Sequence, residues 1–419
     1  MSKKRIVIAG MGFGGLSAGT ALKNKDFEII MVDRHNYHLF QPLLYQIATA
    51  GLEKESIAYP IRAFTRTWEN TSFRMGEITG FDLEGKQLLT DTGNIDYDYL
   101  IVATGSRTNF FGNKNIEKYA FELKRLPQAE EIRNHILTLF EKATYEKDPV
   151  KQSELLTFVI VGGGPTGIEF AGALSELIRY VLTKDYPAIT SDKTKIILIE
   201  ATSSLLTAMP ENLREYAIKK LQEMNVEVML NTLVTDADAN HVMLKSGVVI
   251  NSQTLFWSAG VSAESIADRL GVEQGKNGCI IVSSDLSLEK YPEVFVVGDM
   301  AYVIEDDKPL PMLAPVASQQ GKYVAKAIIA REEGEKIEPF KYVDKGSMAT
   351  IGRSAAVATI RGFSFKGYFA WITWLVLHLY YLIGFRNRII VLINWAYYYF
   401  SHERHVRLIT KPVLKKCEK

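Results

Sequence analysis

The same glycine-rich signature occurs twice in this chain. The two copies are residues 10–15 (GMGFGG) and residues 162–167 (GGGPTG), and each follows an apolar run, at residues 5–9 and 158–161. In a strand–turn–helix of this kind the first glycine makes the tight turn, the second lets the backbone approach a pyrophosphate, and the third lets helix and strand pack closely. The phosphates then bind the N–H groups at the positive end of the helix. Two copies predict an α/β fold with two Rossmann-like dinucleotide-binding domains.

Each signature is followed by a second apolar run that ends in an acidic residue. Asp33 follows residues 28–32, and Glu200 follows residues 195–199. A carboxylate at this position accepts a hydrogen bond from a ribose hydroxyl, and it repels a 2′-phosphate. Glu200 therefore favours NADH over NADPH. A protein with two such sites is expected to pass electrons from one nucleotide to the other.

A longer repeat sets the order of the domains. Residues 100–105 (LIVATG) resemble residues 255–260 (LFWSAG), and a further strand at residues 294–297 ends at Gly298 and Asp299 after the second repeat. The chain is therefore expected to return to its first domain, where Asp299 would complete the first cofactor site. The predicted domains are residues 1–124 with 285–345, residues 125–284, and a C-terminal region at 346–419.

Helical periodicity predicts one helix at residues 127–145, which leads into the second domain, and another at residues 315–331. Residues 148–154 are interpreted as a polar linker.

Charge is unevenly distributed along the chain. The net charge is +1, so composition gives no nucleic-acid signal. From Arg361 onward, however, ten Lys/Arg face two Asp/Glu, which gives +8 and leaves −7 for the rest. A basic, apolar tail on an acidic body is typical of a protein that binds an anionic membrane surface.

The C-terminal region contains two apolar stretches, residues 369–385 and residues 389–400, separated by residues 386–388. Both are short for a helix that spans a bilayer, which needs about 20 apolar residues. Tryptophans, tyrosines and flanking basic groups suit the membrane interface. We expect two helices that lie on one leaflet; a buried dimerisation pair or a single span are the alternatives. His378 is expected to be a packed residue of the tail.

The chain resembles flavoproteins with two dinucleotide-binding domains, and among them the type II (non-proton-pumping) NADH:quinone oxidoreductases. The resemblance extends over nearly the whole chain. Besides the glycine loops, it rests on residues 40–46 (FQPLLYQ), 99–105 (YLIVATG), 298–299 (GD), 314–321 (APVASQQG) and 382–388 (LIGFRNR).

The resemblance implies FAD in the first domain and NADH in the second. The implied FAD-binding residues are Gly10, Gly12, Gly14, Gly15, Asp33, Arg34, Ala103, Thr104, Gly105, Asp299 and Ala317. The implied NADH-binding residues are Gly162, Gly164, Pro165, Thr166, Gly167, Glu200, Ala259 and Gly260.

The resemblance also implies a membrane quinone as the electron acceptor. The quinone candidates are Gln46, Pro315, Gln319 and Gln320. The family often has Ala-Gln-x-Ala-x-Gln, whereas this chain has Pro315 at the first glutamine, so one amide is missing and Gln319 matches the second. Phe40 and Tyr45, near Gln46, are as consistent with packing in the hydrophobic core as with lining the quinone site.

Two residues are the catalytic candidates. Glu169 is expected nearest the junction of nicotinamide and flavin, where it would orient the nicotinamide amide or relay a proton; its alternative role is to stabilise a helix N-terminus. Gln319 is expected to bond the quinone carbonyl; its alternative is a bond to flavin or backbone.

The predicted enzyme is a peripheral, monotopic flavoprotein of the respiratory chain, at the cytoplasmic face of the cell membrane, with a homodimer as a further expectation. No metal is expected, because the histidines and cysteines show no ligand spacing. A sulfide:quinone oxidoreductase is the alternative enzyme, but Cys279 and Cys417 supply no plausible redox pair. A non-catalytic NADH-sensing flavoprotein is the other alternative.

Overall fold

The computed structural model describes residues 3–410. Its principal helices, in chain order, are α1 (Phe13–Leu22), α2 (Leu44–Ala48), α3 (Leu126–Tyr145), α4 (Pro165–Leu177), α5 (Glu211–Glu223), α6 (Ala314–Glu333), α7 (Tyr368–Tyr381) and α8 (Phe385–Ser401). Its principal strands are β1 (Arg5–Ala9), β2 (Glu28–Asp33), β3 (Thr71–Met75), β4 (Tyr99–Val102), β5 (Thr157–Val161), β6 (Lys195–Ile199), β7 (Val226–Met229), β8 (Thr254–Trp257), β9 (Val294–Val296), β10 (Ser347–Gly352), β11 (Ala355–Ile360) and β12 (Phe363–Gly367).

The described residues form two compact units. The first unit comprises the chain up to Leu39, Ala58–Arg107 and Val261–Asp344. The second comprises Phe40–Ile57, Thr108–Gly260 and the chain from Lys345.

A parallel sheet forms the centre of the first unit, in the order β9-β4-β1-β2-β3. Apart from Arg5 at the start of β1, the residues of β1 and β4 are buried and mostly apolar, as expected for a sheet covered on both faces. Helix α6 packs against α1 so closely that a Cβ on Gly321 would lie 2.1 Å from the Gly14 carbonyl oxygen. Shorter pieces of this unit include Tyr37–Leu39, Ala58–Pro60, Ile61–Thr65, Ile78–Asp82, Gln87–Thr90, Ile95–Asp96, Ile280–Ile281, Ala301–Tyr302, Ile304–Glu305 and Lys308–Pro309.

The second unit repeats this design with a parallel sheet in the order β7-β6-β5-β8. The predicted helix at residues 127–145 is confirmed as α3, and short α2 packs against both α3 and α4. Shorter pieces of this unit include Lys114–Tyr119, Pro149–Leu155, Ile178–Leu182, Thr183–Asp185, Val234–Ala237, His241–Leu244 and Val249–Asn251.

The C-terminal region is part of the second unit. Strands β10, β11 and β12 form an antiparallel sheet, and α7 packs on that sheet. Strand β10 approaches α4 at Gly172, where a Cβ would lie 1.6 Å from the Ile351 carbonyl oxygen. Only a residue without a Cβ permits this contact.

Besides this inclusion of the C-terminal region, the compact units differ from the predicted domains in three segments. Residues 40–57 carry α2, which packs on α3 and α4 of the second unit. Residues 108–124 join it too, since the Phe121 N–H donates to the Leu255 carbonyl of β8. Residues 261–284 instead supply Ala263 and Ile280 to the core of the first unit.

Two local predictions were wrong. Residues 148–154, interpreted as a linker, form the helix Pro149–Leu155, which Asp148 caps by accepting from the Val150 N–H. The break between the apolar stretches lies at residues 382–384 rather than at residues 386–388. The reason is that Arg388 belongs to α8 and donates to the carbonyls of Tyr380 and Leu382, which closes the end of α7.

Within residues 3–410, no helix is both long and apolar enough to cross a membrane.

Candidate functional site

The first glycine loop has the geometry that its sequence predicts. Gly10 follows β1 directly with φ of 102°, and a Cβ there would lie 2.4 Å from the Ala103 carbonyl oxygen. A Cβ on Gly15 would lie 1.9 Å from the Gly10 carbonyl oxygen, whereas Gly12 has open space around it. The first and last glycines are therefore required by packing. The middle one leaves room before the uncapped N-terminus of α1, where a phosphate binds most readily.

The second glycine loop repeats this geometry in the second unit. Gly162 has φ of 112°, and a Cβ on it would lie 2.8 Å from the Ser258 hydroxyl oxygen. A Cβ on Gly167 would lie 2.0 Å from the Gly162 carbonyl oxygen, and Gly164 again has open space. Pro165 and Thr166 are exposed at the start of α4. Both loops thus offer the space that a pyrophosphate needs.

The two acidic residues hold their loops in the same way. The Asp33 carboxylate accepts from the backbone N–H groups of Met11 at 2.7 Å and His35 at 2.8 Å. The Glu200 carboxylate accepts from the N–H groups of Gly163 at 2.6 Å and Thr202 at 2.8 Å. Each acid therefore fixes the residue between the first two glycines. Sequence reasoning assigned these acids to the ribose and missed this second role.

The rest of the first unit's candidate site surrounds Thr104 and the turn at Gly298. Among the described residues, none hydrogen-bonds the buried Thr104 hydroxyl, which follows Ala103 at the end of β4. A bound cofactor with polar atoms would satisfy this group. Asp299 accepts from the Ser106 hydroxyl at 2.5 Å, and Arg34 pairs with Glu264 at 2.8 Å.

The glutamines of α6 bind the backbone of the first unit. The buried Gln320 side chain accepts from the Gly298 N–H at 2.6 Å, so it holds the turn on which Asp299 lies. The Gln319 amide donates to the Val343 carbonyl and accepts from the Val343 N–H, both at 3.0 Å. Pro315 is exposed in the first turn of the helix. The backbone alternative for Gln319 is the one that the structure shows.

A pocket in the second unit, here called the aromatic pocket, brings Glu169 together with the C-terminal region. Residues from α2, α4, β10, α7, α8 and the segment after α8 line it, namely Tyr45, Gln46, Thr49, Gly51, Glu169, Ala173, Glu176, Thr350, Ile351, Gly352, Arg353, Trp371, Trp374, Leu375, Trp395, Tyr398, Tyr399 and Arg404. Aromatic walls with a few convergent polar groups are typical of a site for a flat organic ligand.

Glu169 is buried in this pocket. Its Oε1 accepts from the Thr350 N–H and from the Trp374 indole N–H, both at 3.3 Å. Burial raises the pKa of the Glu169 carboxyl to about 8, against the smaller lowering effect of these two hydrogen bonds. Glu169 therefore holds a proton at neutral pH, which suits a proton donor. Its hydrogen bonds tie it to β10 and α7 and do not cap the helix N-terminus.

Gln46 connects two walls of the pocket, since it bonds a residue of α2 and a residue of α8. Its amide donates to the Tyr45 hydroxyl at 2.9 Å and accepts from the Trp395 indole N–H at 2.8 Å. The Tyr45 ring meets Trp374 edge-on at 6.5 Å. The predicted candidate Gln46 thus lies in the same pocket as Glu169. Sequence reasoning gave Trp374 and Trp395 to the membrane interface and missed their place here.

His378 packs in the tail, as predicted. Its ring stacks on Trp374 at 3.8 Å, and its Nδ1 bonds the Trp374 carbonyl at 2.7 Å. Burial lowers the pKa of His378 to about 4, so the ring is neutral at pH 7.

The described part of the chain contains neither a pair of redox cysteines nor a cluster of metal-binding side chains. Cys279 is buried, burial raises the pKa of its thiol to about 11, and its Sγ donates to the Asp299 carbonyl at 3.5 Å. Cys417 lies outside the described residues. Between residues 3 and 410, no group of three or more His, Cys, Asp or Glu side chains is arranged to hold a metal ion.

Two parallel sheets, each with a glycine loop and an acidic residue, define a pyridine-nucleotide-dependent oxidoreductase. The family model described as pyridine nucleotide-disulphide oxidoreductase matches residues 4–321, and the model of the NDH2 C-terminal domain matches residues 345–402.

Individual relatives narrow this class. The chain is 42% identical to the type II NADH:quinone oxidoreductase Ndh of Mycobacterium tuberculosis, over 97% of this chain and 90% of that protein. It is 38% identical to NdhA of the same organism, over 98% and 90%. A solved structure of NDH2 from Plasmodium falciparum in complex with NADH has the same fold, with a TM-score of 0.90 and 21% identity over 98% of this chain and all of that one.

The chain therefore belongs to the type II NADH:quinone oxidoreductase family. The predicted fold class, enzyme class and cofactors, FAD and NADH, are thereby confirmed.

Removal of the Glu200 carboxylate should narrow the preference for NADH. We expect Glu200→Ala to lower kcat/KM for NADH by about tenfold, the size of one charge-assisted hydrogen bond. It should lower kcat/KM for NADPH less, because the repulsion of a 2′-phosphate is lost as well. Steady-state rates with both coenzymes measure the ratio.

The matched control is Asp33→Ala, which removes the same loop contact from the other signature. It should weaken FAD retention and leave the coenzyme ratio of the FAD-loaded protein unchanged. An unchanged ratio in Glu200→Ala would contradict the role given to Glu200.

Proposed function

We propose that this enzyme oxidises NADH at the second glycine loop and reduces a membrane quinone in the aromatic pocket, with FAD held at the first glycine loop. No proton pumping is part of the proposal. The observation that carries the placement of the quinone is the buried, protonated Glu169 among the aromatic walls of the pocket.

The first unit supplies the FAD site. Gly12 and the N-terminus of α1 would receive the pyrophosphate, Asp33 the adenosine ribose, and the Thr104 hydroxyl a polar atom of the cofactor. Asp299 and Ala317 flank the turn at Gly298, so they would complete the site. FAD held there would supply the redox chemistry, which is acceptance of a hydride from NADH and transfer of two electrons to the quinone.

The second unit supplies the NADH site by the same logic. Gly164 and the N-terminus of α4 would bind the pyrophosphate, and Glu200 the adenosine ribose. Ala259 and Gly260 follow β8 at the same sheet edge, on the side of β5 away from Glu200. They would therefore contact the nicotinamide half of the coenzyme. The protein's contribution here is positioning.

The aromatic pocket supplies what quinone reduction requires of the protein. The quinone takes up two electrons and two protons. The Glu169 carboxyl would donate one proton to a quinone oxygen and be reloaded from water; the other proton would be the one that NADH supplies with its hydride, so that NADH, the quinone and one proton from water give NAD+ and the quinol. Tyr45 and Gln46 would bond the second oxygen, and the rings of Trp374 and Trp395 would pack on the flat head group.

Gln319 is a second quinone candidate, as its position in the family pattern implies. It lies in the first unit, outside the residues that line the aromatic pocket, and its amide bonds the Val343 backbone, so we rank it after Gln46.

The family assignment disfavours both alternative functions. A sulfide:quinone oxidoreductase needs redox cysteines, and Cys279 is buried with a thiol pKa of about 11. A non-catalytic NADH sensor has no use for a protonated carboxyl among aromatic walls.

An anaerobic two-step experiment tests this function. NADH is added to the FAD-loaded enzyme until the flavin absorbance is bleached, and a short-chain quinone is then added. The proposal requires fast bleaching and fast recovery. Bleaching without recovery would contradict the quinone step, and failure to bleach would contradict the NADH step.

In the same experiment, Gln46→Leu should slow the recovery and leave the bleaching unchanged. The loss of one hydrogen bond to a neutral ligand corresponds to roughly a threefold to tenfold higher quinone KM. Gln41→Leu is the matched control, because Gln41 is in the same segment but its amide donates to the Lys124 carbonyl on the surface. Equal effects of both changes would contradict the placement of the quinone.

We further propose that residues 346–419 attach the enzyme to the cytoplasmic face of the cell membrane as a monotopic protein. Helices α7 and α8 expose large apolar side chains, with Phe369 and Phe385 each 77% exposed and Phe400 82% exposed. Such side chains bury themselves in the boundary region of one leaflet. The homodimer is a separate proposal, which the mass of the FAD-loaded enzyme in detergent tests; a single-chain mass contradicts it.

Exchange of the exposed phenylalanines should release the enzyme from membranes. In the triple variant Phe369→Gln, Phe385→Gln and Phe400→Gln, we expect the protein to remain in the supernatant on sedimentation with anionic vesicles, with FAD bound. The control exchanges Phe111 and Tyr145, which are 68% and 80% exposed on other elements. Continued sedimentation of the triple variant would show that α7 and α8 are not the anchor.

A further inference from the structure

The aromatic pocket contains a second carboxylate, Glu176, which the proposed reaction does not use. Helix α4 carries Glu169 and Glu176 at a spacing of seven residues, which is two turns, so both face the pocket. Both side chains are buried. Two buried carboxyl groups in one pocket are costly when both are ionised, because neither is in water.

The two carboxyl groups have different partners. Glu169 accepts two hydrogen bonds, from the Thr350 and Trp374 N–H groups, and both donors are neutral. Glu176 accepts from the Arg353 backbone N–H, from the Tyr398 hydroxyl at 2.8 Å and from the Arg404 guanidinium at 3.2 Å. A guanidinium cation therefore contacts Glu176, whereas both hydrogen-bond donors to Glu169 are uncharged.

Arg404 is held firmly in this position. It follows α8, and its side chain is 4% exposed. One terminal nitrogen donates to the carbonyls of Thr49 at 2.6 Å and Ala173 at 3.1 Å, and the guanidinium lies 4.7 Å from the Tyr398 ring centroid. Contacts to α2, α4 and α8 fix its geometry, so the charge cannot move to Glu169 without breaking them.

We propose that Arg404 is a positioning residue that assigns the pocket's proton: by pairing with Glu176 it keeps that carboxylate ionised, and it leaves Glu169 as the carboxyl that holds the proton. This inference rests on the proposed function for its catalytic meaning. The proton leaves Glu169 for a quinone oxygen, Glu169 becomes a carboxylate, and water returns the proton, while Glu176 keeps its charge throughout.

The other groups that face the pair support this division. From α2, the Tyr45 hydroxyl has a pKa that burial raises, so it stays neutral. Tyr398 of α8 likewise has a pKa raised by burial. Burial and the charge of Arg353 lower the pKa of His402, which bonds the Arg353 side chain. The Arg353 guanidinium lies over the Tyr399 ring, and Arg353 donates to Glu176 through its backbone N–H.

Infrared difference spectra of the FAD-loaded enzyme variants test the proposal, since a protonated carboxyl has a carbonyl stretch that a carboxylate lacks. At pH 7, the change Glu169→Gln should remove one such band, and Glu176→Gln should remove none. Arg404→Met should add a second band, because a buried carboxylate without its cation takes up a proton. Arg404→Met combined with Glu176→Gln should not show that second band.

Two further variants separate this role from a structural one. Arg404→Lys keeps the charge and should give the wild-type spectrum. Arg407→Met removes a cation that pairs with Asp185 and Glu403 outside the pocket, and should also give it. If Arg404→Met does not fold, the two single glutamate variants still test which carboxyl holds the proton, and loss of the band in Glu176→Gln still overturns the proposal.

Loss of the wild-type band in Glu176→Gln, or no second band in a folded Arg404→Met enzyme, would overturn the assignment. Neither result depends on turnover with quinone. If the enzyme does not reduce quinone, the infrared bands of the variants are still expected as described. If the bands differ from those described, bleaching by NADH and recovery with quinone are still expected.

Discussion

The contact of β10 with α4 at Gly172 is the constraint on which the candidate quinone site depends. The Ile351 carbonyl approaches α4 to a distance that excludes any Cβ, and it brings Thr350 onto Glu169 and the Arg353 N–H onto Glu176. Helix α7 packs on the same sheet and supplies Trp374 to the Glu169 carboxyl. The C-terminal region is therefore a wall of the site. Its exposed aromatic residues are a second, separate feature on the other side of its helices.

The geometry of the two glycine loops was predictable from sequence, whereas the residues assigned to each nucleotide stay predictions. A tight turn, a close helix and an acidic strand end each demand a particular residue type at a fixed spacing, and they do so twice. Gly10 and Gly162 have positive φ, and Gly15 and Gly167 pack on them. Asp33 is the last residue of β2, and Glu200 follows β6 directly. What sequence could not supply is the hydrogen bond from each acid to its own loop. Nothing in the spacing distinguishes a carboxylate that binds ribose from one that also binds backbone.

The aromatic pocket was beyond sequence reasoning for a different reason. Tyr45, Glu169, Trp374 and Arg404 are far apart in the chain, and their contacts follow from how β10 and α7 pack. Tryptophans next to an apolar stretch are typical of a membrane interface, so Trp374 and Trp395 were given that role, whereas both indole N–H groups bond pocket residues. The spacing of Glu169 and Glu176 by two helical turns was the one signal in the sequence that pointed to a shared face.

The pH dependence of flavin reoxidation by quinone tests most directly whether the aromatic pocket is where quinone is reduced. Burial raises the pKa of Glu169 to about 8, so the group holds its proton below that pH and loses it above. The account predicts that, under anaerobic conditions, the reoxidation rate of the pre-reduced enzyme falls as pH rises through about 8. In Glu169→Gln the rate should be lower and flat over the same range. The same pH dependence in both enzymes would show that Glu169 does not supply the proton, and would remove the quinone from this pocket.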